Sequence, residues 1–149
     1  MFELGVVYRN IQRTPLGTAQ AMASLGSATV HEAMGRVGLM KPYMRPIYSG
    51  AQIAGPAVTV LLQPGDNWML HVVAEQIKPG DIVVAALSSP NTDGFFGDLL
   101  ATSFKSRGAR GLVIDGSPLV AVALGALPGV AVAELAAKVR GMHVVELNA

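Results

Sequence analysis

The residues best placed to do chemistry lie between positions 91 and 120, in NTDGFFGDLLATSFKSRGARGLVIDGSPLV. Gly94 and Gly97 flank Phe95-Phe96, and Asp98 opens a helical pattern with acid at its start and base at its end. A helix start leaves its first backbone N–H groups unpaired, here those of Asp98, Leu99 and Leu100. Such donors bind a carboxylate or phosphate without a charged side chain. Gly97 lets a ligand approach the backbone closely. Asp98 reads in two ways: as an N-cap or first-turn acid, which the helix dipole favours, or as a group that holds a metal-bound water or relays a proton. Asp115 ends an apolar run that reads as a buried strand. Ligands of open α/β sheets sit beyond the carboxyl ends of strands, so Asp115 either faces such a crevice or caps the turn through Gly116.

Other polar candidates carry less. His31 and Glu32 are adjacent, so a helix points them about 100° apart, and they form no HExxH zinc pair; capping or packing explains them better. His71 sits beside Val72 and Val73 in an amphipathic helix and reads as a partly buried, satisfied histidine. His143 lies in the C-terminal part. Arg36, Arg45, Arg107 and Arg110 are candidate anion partners, the last two better read as complements of a helix C-terminus or as solvated. No Walker loop, Rossmann fingerprint or Ser-His-Asp order occurs.

These groups need a scaffold, and the sequence supplies one. AVTVLL (57–62), DIVVAAL (81–87) and ARGLVIDG (109–116) are apolar runs of strand length. DNWMLHVVAEQIKPGD is an amphipathic helix, with Asp66 or Asn67 as N-cap and Lys78-Pro79-Gly80 as its stop. DLLATSFKSRG (98–108) is a second. The alternation of strand and helix with short connections predicts an α/β core with parallel pairing. Before it, residues 14–36 read as a helix, a Gly-Ser break, and a short helix that Ser27 or Thr29 caps. Residues 37–56 are turn-rich, and SSPNTDGFFG reads as a loop. Beyond Ile114 the chain is largely Ala, Val, Leu and Gly, with a helix expected over 131–140 and a short strand over 143–147.

The 149 residues suit one domain with a sizeable core, with 116–149 an atypical tail. They are 51% hydrophobic and 14% charged, well below the usual quarter charged, so buried subunit interfaces are expected. Eleven basic residues against ten acidic ones, without basic runs, give nucleic-acid binding no support. The absence of cysteine excludes thiolate metal sites and disulfides. No signal-peptide pattern and no membrane-length apolar run occur, which predicts a soluble cytoplasmic protein.

Four blocks, TVHEAMGRVGLMKPYMRPIYSGAQIAGPAVTV, PGDNWMLHVVAEQIKPGDIVVA, GFFGDLLATS and RGARGLVID, together resemble the class II pyruvate aldolases of aromatic-acid degradation. These are the 4-hydroxy-4-methyl-2-oxoglutarate / 4-carboxy-4-hydroxy-2-oxoadipate aldolases, whose fold the RraA-type regulators of ribonuclease E share. The resemblance covers about residues 5–115. It implies an RraA-like swivelling β/β/α domain, assembled as homotrimers or hexamers with sites at subunit interfaces. It implies Mg²⁺ or Mn²⁺ without a Schiff-base lysine, a small 2-oxo acid as substrate, and oxaloacetate decarboxylation as a side activity. Gly97, Asp98, Leu99 and Leu100 match the stretch that wraps the pyruvate end, with Asp98 helping to hold metal-bound water. The non-catalytic alternative within the resemblance is an RraA-like protein that binds ribonuclease E.

The family signature is an Asp, twenty residues, then Arg-Asp, the Arg on the pyruvyl oxygens and the Asp on the metal. Counting from Asp98, the pair falls on Leu119 and Val120, neither of which binds a metal or an oxyanion. The departure begins at Gly116 to Pro118, so the expected fold is truncated or altered after about residue 115. A changed reading frame in a GC-rich gene and a natural variant with a rebuilt C-terminal part both account for it.

Overall fold

A computed structural model describes residues 5–46, 51–115, 117–118 and 143–146, the last two stretches as backbone. The three apolar runs form the expected parallel sheet. Strand β2 (Ala57–Leu62) pairs with β3 (Ile82–Leu87), and β3 with β5 (Gly111–Ile114), all parallel. Helix α3 (Trp68–Ala74) links the first pair and α4 (Asp98–Ser106) the second. The short strand expected near the end is β7 (His143–Glu146), which adds antiparallel to β5. Two-residue β1 (Arg45–Pro46) closes the five-stranded order β1-β7-β5-β3-β2. The expected helix over 131–140 lies outside the described residues.

Period-2 alternation explains the packing. Along β2, Val58, Val60 and Leu62 are buried, while Ala57, Thr59 and Leu61 face outward. The buried set meets α3 and α4 in a core that includes Leu70, Val83, Phe95, Phe96, Leu100, Phe104, Leu112 and Ile114. Residues of opposite parity, Ile82 and Val113, gather Met44, Ile53 and Val84 into a smaller cluster. At about 1.5–3 kcal/mol for each large side chain buried, the first cluster dominates the stability of the sheet.

The structure corrects several local readings. SSPNTDGFFG is not all loop: Gly94–Phe96 is strand β4, parallel to β6 (Ser117–Pro118) in a separate two-stranded sheet. Helix α3 ends at Ala74, before Lys78-Pro79-Gly80, because i→i+3 bonds from the N–H groups of Glu75, Gln76 and Ile77 tighten its last turn. Its first N–H groups are served by Asp66, whose Oδ1 accepts from the Trp68 N–H at 2.7 Å, while Asn67 occupies the cap position without a side-chain bond. Helices α1 (Leu16–Leu25) and α2 (Ser27–Ala33) form as expected, but neither Ser27 nor Thr29 is the cap. Gly26 takes that position at φ 82°, a conformation glycine reaches without steric cost.

One buried ion pair ties the N-terminal segment to the sheet. Asp81 is fully buried at the entrance to β3, and Arg13 Nε lies 2.8 Å from its Oδ1 and 2.9 Å from its Oδ2. Arg13 Nη2 also donates to the Gln76 carbonyl, and the Lys78 N–H donates to Asp81 Oδ2 at 2.7 Å.

Candidate functional site

The carboxyl ends of β2, β3 and β5 define one edge of the sheet, and local structure brings the sequence candidates there. Phe95 and Phe96 are buried, and the Phe96 and Phe104 rings lie 5.3 Å apart. Asn67 Nδ2 donates to the Phe95 carbonyl at 3.1 Å. These contacts fix the backbone that leads into α4. Register does the rest: Gly94 pairs with Ser117 and Phe96 with Pro118, so the start of α4 stands beside the segment that follows Asp115.

The N-terminus of α4 is open. Gly97 is its cap residue at φ −128° and ψ −174°, extended backbone with no side-chain cap bond. The Ala101 N–H donates to the Gly97 carbonyl at 3.0 Å. The N–H groups of Asp98, Leu99 and Leu100 precede that first helical bond and have no intrahelical acceptor. A Cβ built on Gly97 would meet nothing within 4 Å, so the space before the backbone is free. Asp98 is exposed as the first helical residue, and its carboxylate has no hydrogen-bond or ion-pair partner among the described residues. It does not cap its own helix. Leu99 is 81% exposed, whereas the Leu100 side chain is in the core and can offer a ligand its backbone only.

Asp115 is tied to the sheet by its backbone and to Tyr43 by its side chain, while Gly116 lies outside the described residues. Its N–H donates to the Ala85 carbonyl at 3.0 Å, and its Oδ2 accepts from the Tyr43 hydroxyl at 3.0 Å. Lys41 lies over the Tyr43 ring, 5.6 Å from its centroid. Hydrogen bonding to Tyr43, then the charges of Tyr43 and Asp115, hold the Lys41 ammonium above the ordinary lysine value. Sequence reasoning missed Lys41 and Tyr43, since a contact across 72 residues leaves no local signal.

The remaining candidates lie elsewhere. His31 Nδ1 is 3.3 Å from the Val37 carbonyl, and Glu32 pairs with Arg36 at 3.5 Å in solvent. His71 is exposed, not partly buried, and packs beside Trp68. Arg107 caps the C-terminus of α4, but Arg110 Nη1 donates to the Ala54 carbonyl at 3.2 Å. The His143 side chain, Leu119 and Val120 lie outside the described residues. A cavity of about 340 Å³ opens between residues 5–12, β2 and α3, lined by apolar groups with Tyr8 and two glutamines. Its lining includes none of the residues at the start of α4.

The Mg²⁺ or Mn²⁺ that the resemblance implies finds little here. Among the described residues no three His, Asp or Glu side chains gather, and the free carboxylate at the start of α4 is that of Asp98 alone. Hard divalent cations require about six oxygen ligands, commonly with one or two carboxylates. Leu119 and Val120 add no donor side chain. The described residues do not by themselves make a divalent-metal site.

The family model described as RraA-like, Aldolase/RraA, matches residues 27–118. The chain belongs to the RraA-like family. The chain is 26% identical over 94 residues to a protein of Halalkalibacterium halodurans named "Putative 4-hydroxy-4-methyl-2-oxoglutarate aldolase". The match takes in 63% of this chain and 45% of that relative, so the RraA-like chain spans about half the relative's length. A crystal structure of an uncharacterized protein from Pseudomonas syringae pv. tomato superimposes with a TM-score of 0.58. It is 23% identical, covering 78% of this chain and 54% of that one, and it supports the RraA-like fold.

Proposed function

We propose that this chain binds small 2-oxo acids at the open start of α4 and acts as a carbon–carbon lyase. Its substrate would be 4-hydroxy-4-methyl-2-oxoglutarate or 4-carboxy-4-hydroxy-2-oxoadipate, and its products pyruvate and a second oxo acid. The observation that carries this reading is the uncapped helix start beside a carboxylate that has no partner among the described residues. The 2-oxo acid end accepts from the N–H groups of Asp98 to Leu100. Asp98 takes the proton of the C4 hydroxyl, directly or through one water. The C3–C4 bond then breaks, its electron pair passes into the enolate of pyruvate, and C4 becomes a carbonyl. Helix-terminal donors face the charge that develops on the enolate oxygen. Protonation at C3 completes pyruvate. Loss of carbon dioxide from oxaloacetate gives the same enolate, so that side activity follows.

No step passes through a metal, because the described residues do not hold one. The test is pyruvate release from 4-hydroxy-4-methyl-2-oxoglutarate, measured without added metal, with Mg²⁺ or Mn²⁺, and with EDTA. Release under any of these conditions that Asp98→Asn removes supports the lyase. Absence of release from folded protein under all of them rejects it. The replacement of Arg-Asp by Leu119-Val120 favours a second reading, a non-catalytic protein that binds ribonuclease E. Capture of purified ribonuclease E by a chain that releases no pyruvate would decide for it. Under both readings the exposed apolar side chains of α1 and of the segment just after α2 serve contacts between copies, as a homotrimer or hexamer.

A further inference from the structure

At its β2 end the sheet borders an open lane. Strand β2 is the last in the order β1-β7-β5-β3-β2 and pairs with β3 alone among the described residues. The backbone bonds fix which of its groups are left over. The Ile82 N–H donates to the Pro56 carbonyl at 2.8 Å, and the Ser88 N–H to the Leu62 carbonyl at 2.9 Å. A parallel ladder uses both backbone groups of alternate residues, so Pro56, Val58, Val60 and Leu62 bond towards β3. The same parity holds one strand further on, where the Asp115 N–H donates to the Ala85 carbonyl. Ala57, Thr59 and Leu61 therefore present their N–H and C=O groups to the other side, about 6.6 Å apart along the strand. No strand lies beyond them among the described residues.

The space beside those groups is already shaped. The cavity of about 340 Å³ runs along residues 57–61, with residues 5–12 as its far wall and α3 as its base. No residue of that far wall is in a strand, so it borders the lane without pairing to it. No charged side chain lines the cavity: Met69, Val72 and Val73 make it apolar, and Gln12 and Gln76 are uncharged. Nothing blunts the edge. Proteins commonly protect a free edge with lysine, proline or a bulge. Ala57–Leu62 has none of these and keeps a one-to-one register with β3 over all six residues.

We propose that the β2 edge is a docking site for an extended, uncharged segment of another polypeptide, which adds to the sheet as a strand next to β2. Evenly spaced donor–acceptor pairs along a line are matched by a peptide backbone, whereas a small ring meets one of them. An added strand gains affinity from main-chain bonds and selectivity from the pockets that its alternate side chains enter. Here the side chains that face α3 must be small or apolar, because a charge there would be desolvated without a partner. The far wall decides between a lone strand and a second copy of this chain. Residues 5–8 stand where the next strand of an approaching sheet would have to lie. The lane therefore takes one strand, not the edge of another folded sheet. It includes none of the residues at the start of α4 and is independent of the lyase reading.

The test uses the full chain and an acetylated, amidated hexapeptide of alternating valine and threonine. Its control is the same peptide N-methylated at its two central residues, which removes a donor from each edge. Amide hydrogen exchange reads the lane directly. In the free chain the Thr59 and Leu61 N–H groups are expected to exchange at least about tenfold faster than those of Val58 and Val60, which lie in the β3 ladder. The hexapeptide should slow exchange at Thr59 and Leu61, and the methylated peptide should bind about tenfold more weakly or not at all. Thr59→Pro removes one outward N–H at an edge position where proline is tolerated, and should weaken the hexapeptide by a similar factor. Should that variant unfold, the comparison of the two peptides on wild type decides alone. Equal binding of the two peptides, or no binding of either, would overturn the proposal. So would slow exchange at Thr59 and Leu61 in the free chain. If that protection depends on protein concentration, a second copy holds the edge; if it does not, another part of the same chain does.

Discussion

Gly97 separates the demands of folding from those of binding. Its backbone is extended, so any residue can adopt it, and an added Cβ would enter empty space. Folding does not require glycine there. If a ligand occupies that space, a methyl group should exclude it. Gly97→Ala is therefore expected to leave the thermal midpoint unchanged and to weaken pyruvate binding at residues 97–100 by about tenfold, which is 1.4 kcal/mol. Asp98→Asn should do the reverse in kinetic terms: pyruvate still binds, since the N–H donors remain, but release from the hydroxy acid falls by about a hundredfold or more, the usual contribution of a positioned base. The same carboxylate sets an expectation for metals. With one free carboxylate, Mg²⁺ and Mn²⁺ alone should bind with dissociation constants on the order of millimolar or weaker, read by calorimetry. Submicromolar binding would mean that ligands beyond the described residues complete a site.

At the scale of elements, stability depends on how the segment before α1 is anchored. Arg13 and Asp81 are 68 residues apart, yet the pair joins the N-terminal segment, the turn after α3 and the start of β3. Asp81→Ala strands a guanidinium that is 14% exposed, and it also leaves the Lys78 N–H without its acceptor. Removing one partner of a buried pair typically costs about 3–5 kcal/mol. The lower end is expected here because Arg13 keeps some water, and urea unfolding measures it. The double variant Arg13→Met/Asp81→Leu should recover part of that loss, since the remaining cost is the Lys78 N–H. The pair also marks where sequence reasoning stops. Strands β2, β3 and β5 were legible because each carries its own apolar run, and the start of α4 because glycine and an acid precede helix-forming residues. Strands β1 and β4, of two and three residues, exist through their partners and have no signal of their own. Arg13–Asp81 and Tyr43–Asp115 are products of the fold, which no local window contains. Asp98 was legible as a candidate, but its lack of a capping bond appeared only in the structure.

The whole molecule leaves two helices underused. Helix α1 buries only Ala19, and α2 buries no residue. Isolated helices of ten and seven residues are marginal in water, so tertiary or quaternary packing must support them. Instead, Leu16, Met22 and Leu25 on α1 are exposed, as are Met34, Val37, Leu39 and Met40 just beyond α2. In a chain with 14% charged residues, this stretch lacks the polar cover that keeps a free surface soluble. A second copy presenting the same stretch would bury it, and closed symmetry makes such a self-complementary contact the simplest assembly. Analytical ultracentrifugation is therefore expected to find a homo-oligomer. The double variant Leu25→Glu/Met34→Glu should shift it towards monomer, because both side chains are more than half exposed in the single chain, at 61% and 53%. The far-ultraviolet signal of the sheet core should persist, since neither residue belongs to the cluster around Phe96 and Leu112. A monomeric wild type would remove the contact between copies from the account, and α1 and α2 would then need another cover. An oligomer that survives both substitutions would place the contact on a different face, the outward side of β2 with Thr59 and Leu61 being the next to test.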